Sequence, residues 1–95
     1  MGKFITWMKA YMRYRIDIRK LNKKAKLEDY KRDNWKGDIG IMFKYLATME
    51  SILYLEKLSV KEFEARDLIT STESLSLANY YVSRASNILD ELVDG

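Results

Sequence analysis

The chain of 95 residues contains no cysteine, no histidine and no proline, and only four glycines. Without cysteine there are neither disulfides nor thiolate metal sites. Without histidine the commonest general base and the commonest metal ligand are missing together. Catalysis is therefore not expected. The lack of proline and the shortage of glycine leave few breakers, which favours long helices over many short strands. Also missing is any apolar run approaching the roughly 18–20 residues that span a bilayer. The N-terminal segment is no secretory signal either, because Lys9, Arg13 and Arg15 interrupt its apolar stretch. A cytoplasmic location is the resulting expectation.

What is present is divided unequally along the chain. Residues 1–36 hold twelve Lys or Arg against four Asp or Glu, whereas residues 37–95 hold five against ten. A basic segment of net +8 thus precedes an acidic one of net −5, giving the overall +3. Both tryptophans and several tyrosines lie in the basic segment. Such a charge distribution sets up a field that draws anions to one face, so a phosphate-bearing or acidic partner is expected. Hydrophobic residues at 47% and charged residues at 33% belong to an ordered globular protein. Residues 1–95 are read as one domain with a modest core, which oligomerisation would help to stabilise.

Apolar spacing predicts three helices and an all-α fold. Phe4, Trp7, Tyr11, Tyr14, Ile18, Leu21 and Ala25 follow one another at steps of three and four, so helix one is placed at about residues 3–32. A second row, Ile5, Met8, Met12 and Ile16, widens its apolar face enough for two neighbours. The segment from Asp33 to Asp38 collects turn and cap residues, with Asp38 a candidate N-cap. Helix two, at about 39–57, carries Ile39, Met42, Leu46, Met49 and Leu53 on one row and Ile41, Tyr45, Ile52 and Leu55 beside it. That width suggests the central helix. Ser59 and Glu62, flanked by Leu58 and Phe63, have the spacing of a capping box with a hydrophobic staple. Helix three is accordingly expected to start at Val60 and run to about residue 92, antiparallel to helix two. Its seam consists of Leu68, Leu75, Val82 and Leu89, with Ala78, Ala85 and Leu92 alongside. Thr70 and Glu73 have the spacing of another capping box, but the leucines stay in phase across them, so a continuous helix is preferred.

Several kinds of chemistry fit the basic segment. Arg13, Lys20, Lys24 and Lys31 project from one side of a helix, with Tyr11, Tyr14, Tyr30 and Trp35 interleaved. Cations neutralise phosphates and aromatic faces stack on bases, the combination that holds single strands or nucleotides. The same pattern also suits a plain solvated basic face backed by core tyrosines. Phe4, Ile5, Trp7 and Met8 opposed by Lys3, Lys9 and Arg13 would suit an interfacial helix, and Met1-Gly2 with Thr6 meets the loose myristoylation pattern. Membrane attachment is nevertheless not expected. Glu50, Glu56 and Glu64 lack the helical Glu/His partners of a metal site, so no metal or other cofactor is expected.

The segment Ala65-Arg66-Asp67-Leu68-Ile69-Thr70, followed by Leu75, Ala78, Tyr80-Tyr81 and Arg84-Ala85, resembles the final helix of the phage anti-CBASS and anti-Thoeris cyclic-nucleotide sponges. In that family an Arg at the helix start is followed after nine residues by Leu, the interval that separates Arg66 from Leu75. Spaced Ala, an aromatic or Met pair and a basic residue with Ala come next. The family's Thr-Lys-Leu-Glu stretch is Glu73-Ser74-Leu75-Ser76 here, and its Met-Trp pair is Tyr80-Tyr81. The resemblance implies a phage-encoded helical homo-oligomer, at work in the infected bacterial cell, that withholds cyclic oligonucleotide immune signals from host effectors. By position, the resemblance implies Arg66 and Arg84 as candidate phosphate contacts. Together the two lines of reading give Tyr11, Arg13, Lys20, Lys24, Arg66, Tyr80, Tyr81 and Arg84 as candidate ligand residues. The expected partners are a cyclic di- or trinucleotide and further copies of the chain. Two alternatives stay open: binding of nucleic acid or an acidic protein surface, as in an inhibitor of a CRISPR effector, and a purely structural helical assembly.

Overall fold

A computed structural model describes the backbone of residues 2–29 and 39–94 and the side chains of 2–26 and 39–92. The described residues form three α-helices and no strands: α1 (Gly2–Asp29), α2 (Ile39–Glu64) and α3 (Leu68–Asp94). Helices of 26–28 residues reach roughly 40 Å at 1.5 Å per residue, which accounts for a long, thin body of 49 × 20 × 15 Å. No helix among the described residues is long and apolar enough to cross a membrane. The expected end of helix one at about residue 32, the expected turn from Asp33 and the candidate N-cap Asp38 lie outside the described residues, as do Tyr30, Lys31 and Trp35.

The capping box at Ser59 and Glu62 does not form. Helix α2 runs straight through it, and the Ser59 hydroxyl donates to the Glu56 carbonyl 2.8 Å away inside the same helix. Glu62 reaches across to α3, where its Oε1 accepts from Ser74 Oγ at 2.6 Å. The helix stops later, at Ala65-Arg66-Asp67. Arg66 adopts a left-handed φ of 62°, its N–H donating to the Phe63 carbonyl, and Asp67 N–H donates to the Glu62 carbonyl. This 6→1 and 5→2 pairing is a Schellman ending, in which the left-handed position usually belongs to glycine. Asp67 then caps α3 by accepting the Thr70 N–H at 3.2 Å. One residue thus closes α2 through its backbone and opens α3 through its side chain. Hydrogen bonding by Thr70, from hydroxyl and backbone alike, holds the Asp67 carboxyl below its usual pKa.

The central helix is α3, not α2. Both α1 and α2 pack along α3, and they approach each other much less closely. Contacts fix the directions. Trp7 Nε1 donates to Ser71 Oγ near one end, while Lys24 near the other reaches Ser86 and Asp90, so α1 runs parallel to α3. Trp7 stacks on Phe63, which sets α1 antiparallel to α2. α3 owes its place to small side chains: Ser71, Ala78 and Ala85 are each wholly buried, and their spacing of seven keeps one narrow ridge facing both neighbours. Leu75, Val82, Leu89 and Leu92 complete the seam the spacing predicted, and Tyr14, Leu21, Ile52 and Leu55 fill the space above it. The helix is continuous from Thr70 to Ser74, with the Thr72 hydroxyl donating back to the Leu68 carbonyl.

Candidate functional site

The end of the molecule where α1 begins and α2 meets α3 holds an aromatic ladder. Phe4, Trp7 and Tyr11 stack along α1 with centroids 6.0 and 5.2 Å apart, and Phe63 of α2 closes on Trp7 at 4.4 Å. Beneath the ladder a polar chain crosses all three helices: Trp7 Nε1–H to Ser71 Oγ at 3.0 Å, then Ser71 Oγ–H to the Ser59 carbonyl at 2.9 Å. These bonds satisfy the N–H of a half-buried indole and a buried hydroxyl, which would otherwise be expensive to bury. Cavities adjoin the ladder. One of about 430 Å³ is lined by Phe4, Phe63, Glu64, Arg66 and Leu68, and another of about 310 Å³ by Trp7, Tyr11, Ser59, Val60, Phe63 and Leu75.

The eight candidate ligand residues are spread over several surfaces. Tyr11 belongs to the ladder and is 41% exposed. Arg13 is exposed on α1. Lys20 and Lys24 share a shallow groove of about 230 Å³ with Asp17, Ser83 and Ser86. The ammonium of Lys24 is already engaged, donating to the carbonyl and hydroxyl of Ser86 and pairing with Asp90. Within a protomer Lys24 is thus a clamp between α1 and α3. Arg66 lies in the turn, beside the apolar cavity of Phe4 and Phe63. Tyr80, Tyr81 and Arg84 occupy α3. Tyr81 packs against the core, Tyr80 is 55% exposed and meets it edge-on at 5.6 Å, and Arg84 follows Tyr80 by one helical turn. Tyr80 and Arg84 therefore display an aromatic plate and a guanidinium side by side.

Sequence reasoning gave Ser71 no role and read Phe63 only as part of a hydrophobic staple. The signal for Ser71 was present, since it stands seven residues before Ala78 in the row Ala78, Ala85, Leu92. Tyr14, expected on the apolar stripe, is 1% exposed, and its hydroxyl makes no well-formed hydrogen bond. Burial, reinforced by the negative charge of Glu56, pushes that hydroxyl's pKa well above the usual tyrosine value.

A further feature is apolar and uncovered. On α1, the row Ile5, Met8, Met12 and Ile16 points away from Tyr14 and Leu21 and is 39–57% exposed. On α2, the row Ile39, Leu46, Leu53 and Val60 is 50–65% exposed, and Phe43 beside it is equally open. Monomeric proteins seldom leave contiguous patches of this kind bare. Comparison with known proteins adds no assignment: no family, no curated protein and no solved structure matches this chain.

Proposed function

We propose that this chain is a non-enzymatic binding protein which works as an oligomer of itself and sequesters a cyclic di- or trinucleotide, in the manner of a phage counter-defence sponge. The observation that carries the reading is the pair Tyr80 and Arg84, exposed one turn apart on α3, with Tyr81 holding the Tyr80 ring edge-on. A guanidinium donates to phosphate oxygens in bidentate fashion, and a neighbouring ring offers a base its face. Sequestration asks for affinity and abundance, with no general base or nucleophile. In one protomer the pair forms an open ridge, so the pocket is completed where copies meet. The ligand part of the reading draws on the sponge resemblance of residues 65–85.

Calorimetric titration with cyclic di- and trinucleotides tests it. Saturable, stoichiometric heat is expected with one of them, lowered at least about tenfold in affinity when Arg84→Ala removes a charged hydrogen-bond donor. The ligand should be recovered intact after denaturation. Absence of both heat and thermal shift across the ligand set would overturn the proposal. A second reading, assembly without any small ligand, is favoured by the uncovered rows of α1 and α2 and predicts a stable multimer in that same negative result. Binding of long nucleic acid would show itself differently, through affinity that falls steeply between about 50 and 200 mM salt.

A further inference from the structure

Ile39, Leu46, Leu53 and Val60 recur every seven residues along α2, so they form one nearly straight apolar row. Neither α1 nor α3 covers this row. Those helices take the side of α2 that carries Ile52, Leu55 and Ser59, which are 1–8% exposed, while the row stays at least half exposed. A seven-residue apolar repeat on an open helix face is the pattern that another helix covers in paired helices.

We infer that the row is covered by the same row of a second copy, with the two α2 helices antiparallel about a two-fold axis at Leu53. The inference supplies an interface for the self-association proposed above and stands separately from the ligand. The first argument is area. The chain exposes 6961 Å² at 11.3 kDa, whereas a compact monomer of that mass exposes roughly 5,700 Å². The excess of roughly 1,200 Å² is more than the ~800 Å² per partner that a standard interface buries.

The second argument is charge. Glu50 and Lys57 flank the row on its solvent side, three residues before Leu53 and four after it. In the antiparallel arrangement Leu53 meets its own copy on the axis, and Leu46 meets Val60 of the partner subunit. Glu50 then faces Lys57 of the partner subunit, and the two-fold axis repeats the pair. Sliding the helices by one heptad would bring Glu50 against Glu50 of the partner subunit, a like-charge contact that penalises the wrong register. The row supplies adhesion and the flanking charges select one alignment.

Sedimentation equilibrium of the full chain, with circular dichroism as the check on folding, tests this. The unaltered protein should associate at micromolar concentration. Leu53→Asp, which sets two carboxylates together on the axis, should raise the dissociation constant at least tenfold with helicity unchanged. Glu50→Lys and Lys57→Glu should each weaken association several-fold, and the double exchange E50K/K57E should restore it. The charge exchanges change exposed side chains and remain informative if Leu53→Asp disturbs folding. A monomeric wild type, unchanged association in folded Leu53→Asp, or a double exchange no better than the single ones would each overturn the interface. Nucleotide titration of the same variants separates the two proposals. Heat lost together with association supports a pocket shared between copies, heat retained by a monomeric variant removes the shared pocket but not the interface, and an associated protein without heat removes only the ligand.

Discussion

Helices α2 and α3 are of similar length and α2 is the richer in apolar residues, yet α3 is the one that the molecule buries. α3 buries Ser71, Leu75, Ala78, Val82, Ala85, Leu89 and Leu92 to 3% exposure or less, whereas α2 buries only Ile52, Leu55 and Ser59 to a comparable degree. α2 leaves Ile39, Phe43, Leu46, Leu53, Tyr54 and Val60 at least half exposed. Apolar width therefore does not make a helix central. A helix flanked on two sides needs a ridge of small residues so that both neighbours can approach closely, and α3 has it at 71, 78 and 85. The bulky second row of α2 is left at least half exposed within the protomer, which is the basis for the interface proposed above.

Adjacent residues of α2 offer the sharpest way to break that comparison. Ile52 is 1% exposed and Leu53 is 54% exposed. Ile52→Ala should cost about 2–5 kcal/mol through lost burial and the cavity left behind. Leu53→Ala should change the stability of the isolated chain by no more than about 0.5 kcal/mol. Denaturant titration at concentrations too low for association checks both values, and equal losses would refute the distinction between inner and outer rows.

A smaller effect is expected at Tyr14, where α1 enters the core. Its hydroxyl is buried beside the Glu56 carboxylate without a well-formed hydrogen bond, so Tyr14→Phe should leave stability at pH 7 unchanged or raise it by up to about 1 kcal/mol. Because its pKa is raised in the folded state, the protonated tyrosine's contribution is complete below the unfolded value of about 10 and is lost as pH rises beyond it. The fall in stability above that pH should become shallower in the variant. A loss of stability at pH 7 would show that the hydroxyl is well paired, and an alkaline slope unchanged in the variant would show that the fold does not hold Tyr14 protonated. The smallest effect is expected at the turn: Arg66→Gly should raise stability by about 0.5–1 kcal/mol, because glycine takes the left-handed conformation without the Cβ clash. Calorimetric melting reads the change, and a lower Tm would mean that the Arg66 side chain does more for the fold than its backbone costs.

Much of this architecture was legible in the sequence. Periodicity located all three helices, and the phase of Leu75, Val82 and Leu89 kept α3 continuous through its polar stretch. The α2–α3 boundary was misplaced by several residues because Ser59 and Glu62 match a capping box in spacing alone. Their side chains found partners elsewhere, Ser59 in its own helix and Glu62 on Ser74, so nothing interrupted the backbone ladder. The actual stop uses an arginine in a glycine's conformation, which composition does not announce. Both rows of α2 were visible as apolar, but the choice between them depends on which face α3 can approach, a tertiary matter that local spacing does not contain. The candidate site shows the same limit. Tyr80 and Arg84 stayed together because a helix sets their spacing, whereas Lys24, equally prominent in the charge pattern, was drawn into a clamp with Ser86 and Asp90.

The claim that the outer rows of α1 and α2 are interaction surfaces is tested most directly by the mass of the unaltered chain in solution across a concentration series. A mass rising from 11.3 kDa at high dilution to a multiple of it at micromolar concentration is the predicted result. A constant 11.3 kDa up to millimolar concentration, with the helices intact, would contradict it.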